Sequence, residues 1–264
     1  MTDIKAVIFD WAGTMIDHGC FGPVAAFQEI FAEIGINVSQ QACRAPMGLP
    51  KKDHIKAMLD DKALQQTVFE RTGKMPDSQM VESLYGRFLA INEALVLRHT
   101  DVITGAIDCV NYLRSRQIKI GSNTGYGRDL MEKIVPLAAS QGYQPDNLVC
   151  GDDLAEGRPG PLMMYRCMAD LGVYPPQAII KVDDTTPGIA EGIAIGAITV
   201  GLTLTGNLVG LSEEALAALS DTEKDNLHNT HAKTLKSAGA DHVLRSVAEL
   251  PALIDKLMAE QHAQ

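Results

Sequence analysis

Several absences bound this chain before any motif does. No apolar run approaches the ~20 residues needed to cross a bilayer. The first residues also lack the charged-then-apolar order of a secretion signal. Basic charge is short, with 23 Lys and Arg against 33 Asp and Glu. The resulting formal net charge of -10 argues against a nucleic-acid or anionic-membrane partner. Any phosphate site must therefore be made locally positive by backbone N–H groups, a few cations or a metal. Cysteine is sparse and unpaired in pattern: Cys20, Cys43, Cys109, Cys150 and Cys167 are odd in number and form no C-x-x-C. Neither a disulfide framework nor a structural zinc is expected, which fits a reduced, cytoplasmic protein. No internal repeat or low-complexity tract breaks an ordinary globular composition.

A chain of 264 residues is long for one core, so a main domain with a smaller companion is the natural expectation. From about 105 onward, helical and strand patterns alternate. "AIDCVNYLRSR", "RDLMEKIVPLAASQ", "PLMMYRCMADLG" and "GIAEGIAIG" read as helices. "IKIGSN", "NLVCGDD", "AIIKVDD" and "AITVGL" read as strands, and the tail "DHVLRSVAELPALIDKLMAE" as a last short strand and helix. Continuously apolar strands separated by helices predict an α/β fold: a doubly wound, Rossmann-like parallel sheet covered on both faces. The stretch 20–98 is helical throughout, with "AAFQEIFAEIG", "KDHIKAMLDD", "LQQTVFERTG" and "DSQMVESLYGRFLAINEALVLR". It predicts an inserted helical cap domain over a core formed by 1–19 and 99–264, with hinges near 17–22 and 98–104.

"AVIFDWAGTMID" (6–17) is a buried strand that delivers a carboxylate, Asp10, to its own C-terminal end. In an open α/β sheet such ends converge on one crevice. "SNTG" follows a second strand and "VDD" ends a third. Thr124 and Gly125 then offer a hydroxyl and free N–H groups at a helix start, where anions bind well.

These stretches, with "GRP" before a helix, match in order the four motifs of the haloacid dehalogenase superfamily. The segment "RAPMGLPKKDHI" is more specific, and with "FDWAGTMIDHGCF" and "GSNTGYGRD" it resembles the phosphonatase family within that superfamily. The resemblance implies Mg²⁺-dependent hydrolysis of phosphonoacetaldehyde, a small molecule, to acetaldehyde and phosphate, in 2-aminoethylphosphonate degradation. It also implies a homodimer through the cap.

Within that pattern Asp10 is the nucleophile that forms an aspartyl-phosphate. The family places Mg²⁺ on Asp10, the backbone carbonyl of Ala12 and Asp184. Two departures from the wider pattern touch that assignment. Asp183 stands where glycine is usual, and Gly188 where a second acid often supports the metal, so Asp183 could share the role. Arg158 becomes the phosphonate-binding cation, and Thr124 and Gly125 belong to the same anion site. Met47, Cys20 and Tyr126 match substrate-pocket positions.

Lys51 defines the chemistry. With Pro50 as the first residue of a helix, Lys51 lies in its first turn, where the dipole and burial under a closed cap both favour a neutral amine. It also shares a stripe with Ile55, Met58 and Leu59, and Lys52 falls off that stripe. His54, one turn on, could move protons during imine formation, as the resemblance also suggests.

Ala12 fits this reading. Superfamily phosphatases carry an acid two residues after the nucleophile to protonate an alkoxide leaving group. A P–C bond instead expels a carbanion, which needs an electron sink, and a protonated imine on Lys51 supplies one. The rivals are a capped phosphatase or mutase for phosphate esters, which Ala12 opposes, and a non-catalytic binder of phosphate metabolites, which the retained Asp10 opposes.

Overall fold

The computed structural model describes residues 3–262. Its frame is a five-stranded, all-parallel sheet in the order β2-β1-β3-β4-β5, built from β1 (Ala6–Phe9), β2 (Lys119–Ser122), β3 (Ile179–Asp183), β4 (Ile198–Leu202) and β5 (His242–Leu244). Alternation along β1 shows why the sheet is covered twice. Val7 and Phe9 point into a core with Ile180 and Val182, while Ala6 and Ile8 point into a second one with Ile179. The first face is closed by α6 (Ala106–Ser115), α7 (Arg128–Ser140) and α12 (Leu250–His262). The second is closed by α8 (Leu162–Leu171) and the end of α9 (Thr186–Ile195). The sequence-based fold class therefore holds. Pro136 sits inside α7 on its exposed side, so its missing N–H costs an intrahelical bond but creates no clash with the core.

The expected strand at 147–153 does not form. Val149 makes one bridge beside Asn123, and then the chain turns away. Asp153 accepts from the Cys150 N–H at 2.7 Å and pairs with Arg128, while Asp152 accepts from the Arg128 N–H at 2.9 Å. Carboxylates that bind nearby backbone in this way compete with a ladder. Between β4 and β5 lie α10 (Glu213–Ala217) and α11 (Asp221–Ser237), which have no counterpart in the sequence reading.

Between β1 and α6 the chain forms five helices: α1 (Phe21–Glu33), α2 (Gln40–Arg44), α3 (Lys51–Leu59), α4 (Lys62–Thr72) and α5 (Ser78–Val96). They enclose an apolar core of their own, including Phe27, Ile30, Phe31, Ile55, Met58, Leu84 and Phe88. The two connections to the sheet run side by side. Ile16 bridges Val102, the Asp17 N–H donates to Asp101 O at 3.1 Å, and the Ile103 N–H donates to Met15 O at 2.9 Å. Asp61 and Asp77 cap α4 and α5 through their side chains, and Gly73 in the left-handed region ends α4. No helix among the described residues is long and apolar enough to cross a membrane.

Phe88 is fully buried and stacks on Phe27 at 4.7 Å between centroids. Phe88→Ala is therefore expected to cost about 3–5 kcal/mol in urea or thermal unfolding. An unchanged transition would show that the helices do not depend on this core.

Candidate active site

Chain order reverses between β1 and β3, the place where an open parallel sheet leaves a crevice beyond its strand ends. Asp10 follows β1 directly, Asp183 ends β3, and Asp184 follows it. All three are buried, and each offers an oxygen within 4.8 Å of the other two. Glu191 lies among them, as do two buried cations, Arg158 and Lys181. Four carboxylates against two cations leave two negative charges in a dry site, the charge that one divalent ion offsets. A donor set of carboxylate oxygens suits such a cation. The peptide carbonyl of Ala12 is also available, because the Ala12–Ile16 bridge runs through Trp11 O and the Gly13 N–H instead.

The three acids are not equivalent. Asp183 pairs with Arg158 at 3.3 Å and Lys181 at 3.1 Å, and accepts from the Thr185 N–H and hydroxyl. Burial opposes its ionisation, but the two cations win and hold its pKa below the ordinary value. Asp184 has no cation beside it. It accepts from the Asn207 N–H at 2.6 Å, the Thr14 hydroxyl at 3.3 Å and the Cys20 thiol at 3.5 Å. Burial, then Asp183 and Asp10, push its pKa up to about 8. Asp10 pairs with Arg158 at 2.8 Å. Burial and Asp183 nevertheless raise its pKa to about 6. Gly188 has a clear reason to be glycine: an added Cβ would lie 1.9 Å from the Asp183 carboxylate.

A small cavity opens above Asp10. Of the sequence-predicted residues, it brings together Asp10, Ala12, Cys20, Met47, Lys51, Thr124, Gly125, Tyr126 and Arg158. Asp184 stands behind this surface and reaches it through Cys20. Pro50 is the cap residue of α3, and Lys51 is the first helical one. That is one position off the expected start, but Lys51 stays in the first turn. Its ammonium lies 4.9 Å from the Tyr126 ring centre and 5.8 Å from that of Phe27. Burial outweighs the attraction of Asp10 and brings its pKa down to about 8. Lys52 instead pairs with Glu82 at the surface.

His54 is not on the cavity wall. It is fully buried in the helical bundle, stacked on Phe27 at 3.9 Å, with its Nε2–H donating to Cys43 O at 2.9 Å. Burial and the neighbouring Lys51 hold it well below the usual histidine pKa, so it is neutral. Pro23 and Lys51 come from α1 and α3, Met47 and Gly48 from the turn between α2 and α3, and the remaining residues lie outside the helices. Gly125 is pressed against the bundle, where an added Cβ would meet Leu49 O at 3.1 Å.

The sequence reading missed Asn123, Lys181, Thr185, Glu191 and Asn207. Lys181 was visible only as a lone cation inside an apolar strand, an arrangement that requires buried partners.

The model of haloacid dehalogenase-like hydrolases matches residues 4–196. A phosphonoacetaldehyde hydrolase of Paraburkholderia xenovorans (strain LB400) is 42% identical, over 95% of this chain and 94% of its own length. One from Hahella chejuensis (strain KCTC 2396) is 40% identical, over 98% of this chain and 89% of its own. A solved phosphonoacetaldehyde hydrolase-like protein from Oleispira antarctica superposes with a TM-score of 0.95 at 38% identity, covering 97% of this chain and 92% of that one.

The raised pKa values of Asp10 and Asp184 set a pH dependence. Without metal, the folded protein keeps protons that the unfolded chain releases near pH 4. Stability should therefore fall as pH rises from about 4 through about 6 towards about 8. Thermal melting should show a larger gain from added divalent cation at pH 8 than at pH 5. Asp184→Asn should shrink both the slope and the gain. Asp183→Asn should instead lower the melting temperature at neutral pH, because two buried cations lose a partner. The reverse ranking would give Asp183 the metal-facing role.

Proposed function

The chain belongs to the haloacid dehalogenase-like hydrolases, and from that premise we propose that it hydrolyses phosphonoacetaldehyde to acetaldehyde and phosphate, in 2-aminoethylphosphonate degradation. The observation that carries this reading is a lysine amine of lowered pKa in the same small cavity as Asp10, where residue 12 is alanine. A phosphate ester needs a proton donor beside the nucleophile, whereas an aldehyde phosphonate needs an amine. The names of the relatives agree.

In this reading neutral Lys51 adds to the aldehyde carbon, and the carbonyl oxygen leaves as water to give a protonated imine. Thr124, Gly125 and Arg158 hold the phosphonyl group against Asp10. A carboxylate oxygen of Asp10 attacks phosphorus. As that bond forms, the P–C pair moves into the iminium and becomes an enamine on Lys51. Protonation at carbon and hydrolysis release acetaldehyde and the free amine. Water then cleaves the aspartyl-phosphate, giving phosphate and restoring Asp10. Asp10, Asp184 and the Ala12 carbonyl would hold the metal, for which we assign Mg²⁺, and its charge lets the two anions meet.

His54, neutral and fixed through Nε2, keeps the Phe27 ring under Lys51. Residues 20–98 act as the cap that brings Lys51 to the sheet. A homodimer and a cytoplasmic location complete the reading.

Borohydride added with substrate should inactivate the enzyme irreversibly, and peptide mass mapping should place the adduct on Lys51. Turnover without labelling, or labelling on Lys52, would remove the imine from the mechanism. With the Lys51 pKa at about 8, the rate of trapping should rise with pH up to that value.

Ala12→Asp is expected to lower phosphonoacetaldehyde turnover by about 10²–10³-fold, since a carboxylate there repels the substrate anion and competes for the metal. The same protein should gain slight activity on p-nitrophenyl phosphate. Undiminished turnover by a folded variant would show that the missing acid is unrelated to the leaving group.

A further inference from the structure

Lys181 is among the largest fully buried side chains of the protein, and it is a charge. It sits on β3, pointing to the side where Ile179 meets aliphatic neighbours. Burying an ammonium costs several kcal/mol unless its partners are close and well placed. Here they are. Its Nζ lies 2.6 Å from Asn123 Oδ1, 3.0 Å from Glu191 Oε1 and 3.1 Å from Asp183 Oδ2.

All three of those acceptors also hold Arg158. Its Nε donates to the same Glu191 Oε1 at 2.8 Å, and its Nη2 donates to Asn123 Oδ1 at 2.7 Å and to Asn123 O at 3.2 Å. Nη2 also lies 3.3 Å from Asp183. Two edges of the guanidinium are thereby committed to protein, and no described residue accepts from Nη1. Arg158 lines the cavity and is only 4% exposed. A planar fork fixed on two sides presents its third in one direction.

We propose that Lys181 and Glu191 are positioning residues that clamp Arg158 from behind, so that its free edge faces the phosphonyl oxygens. The inference rests on the reading of Arg158 as the phosphonate-binding cation. Lys181 fixes Glu191 and Asn123, and these fix Arg158. Neither Lys181 nor Glu191 lines the cavity. Their effect on a bound anion's contacts passes through the guanidinium, and such supporting groups hold a binding group within a few tenths of an ångström of its working position.

The test uses the full-length protein with Mg²⁺, and inorganic phosphate as the probe. Glu191→Asp keeps the charge but pulls the carboxylate back from Nε, whereas Glu191→Gln keeps the reach and an acceptor oxygen. Lys181→Met keeps most of the volume and drops the ammonium.

Phosphate inhibition should weaken by about 10-fold or more in Glu191→Asp and Lys181→Met, and less in Glu191→Gln. Mg²⁺ affinity, read by thermal shift, should stay within about twofold in Glu191→Asp and should not weaken in Lys181→Met, which removes a positive charge beside Asp183. Borohydride trapping of acetaldehyde on Lys51 should also persist, because acetaldehyde carries no phosphonyl group for Arg158 to hold. Phosphate affinity equal to wild type in Glu191→Asp and Lys181→Met would overturn the proposal. So would a parallel loss of phosphate, metal and trapping in every variant, Glu191→Gln included, since that is general damage.

Arg158→Lys separates the two layers. If it too leaves phosphate affinity unchanged, the reading of Arg158 fails. If it weakens phosphate while the Lys181 and Glu191 variants do not, only the clamp fails.

Discussion

Mutual repulsion among carboxylates at the ends of β1 and β3 is the constraint on which the site depends. Asp10, Asp183 and Asp184 come too close to be ionised together unaided, and each is relieved differently. Asp183 is relieved by cations that the fold supplies, Arg158 and Lys181. Asp184 has only dipoles, so its charge calls for something from outside. Asp10 lies between the two conditions, tied to Arg158 yet still raised in pKa. A strongly ionised Asp10 would be well hydrated or tightly paired and a poor nucleophile. In the proposed reaction, one held near neutrality is ready to be ionised by the arriving metal.

The helical bundle answers a different requirement. In the proposed reaction, amine chemistry needs a neutral lysine, while phosphoryl chemistry needs a strongly charged floor. Placing Lys51 on α3 puts the amine against the aromatic rings of Phe27 and Tyr126, with the carboxylates below. Apolar surroundings lower its pKa, but Asp10 keeps the shift moderate. A lysine on the sheet meets the opposite fate: Lys181 is locked among acids and fully committed.

Local chemistry decides how much of this was legible in the sequence. The parallel sheet was readable because β1, β3 and β4 are mostly apolar runs that must be buried on both faces. The strand expected at 147–153 failed because Asp152 and Asp153 bind their neighbours more favourably than a ladder would. Helix α11 went unread because Leu235 is its only buried residue, which leaves almost no periodic signal; its capping box at Ser220 and Glu223 was the available clue. Within the site, residues following strand ends were visible by position. Asn123, Glu191 and Asn207 were not, because their roles arise from contacts across 23 to 58 residues of chain that no local pattern encodes.

The crowding at Gly188 bears on how such a site drifts over generations. The Asp183 carboxylate fills the space that a side chain at 188 would need. A mutation at 188 alone therefore meets a collision, and a mutation at 183 alone strands two buried cations. The pair is heritable only as a unit. The wider superfamily pattern, with glycine at the first position and an acid at the second, is the mirror arrangement: the same negative charge carried by the helix instead of the strand. Passing from one to the other by single steps means crossing a form with both acids or with neither. Moving that charge between strand and helix therefore takes two coordinated changes.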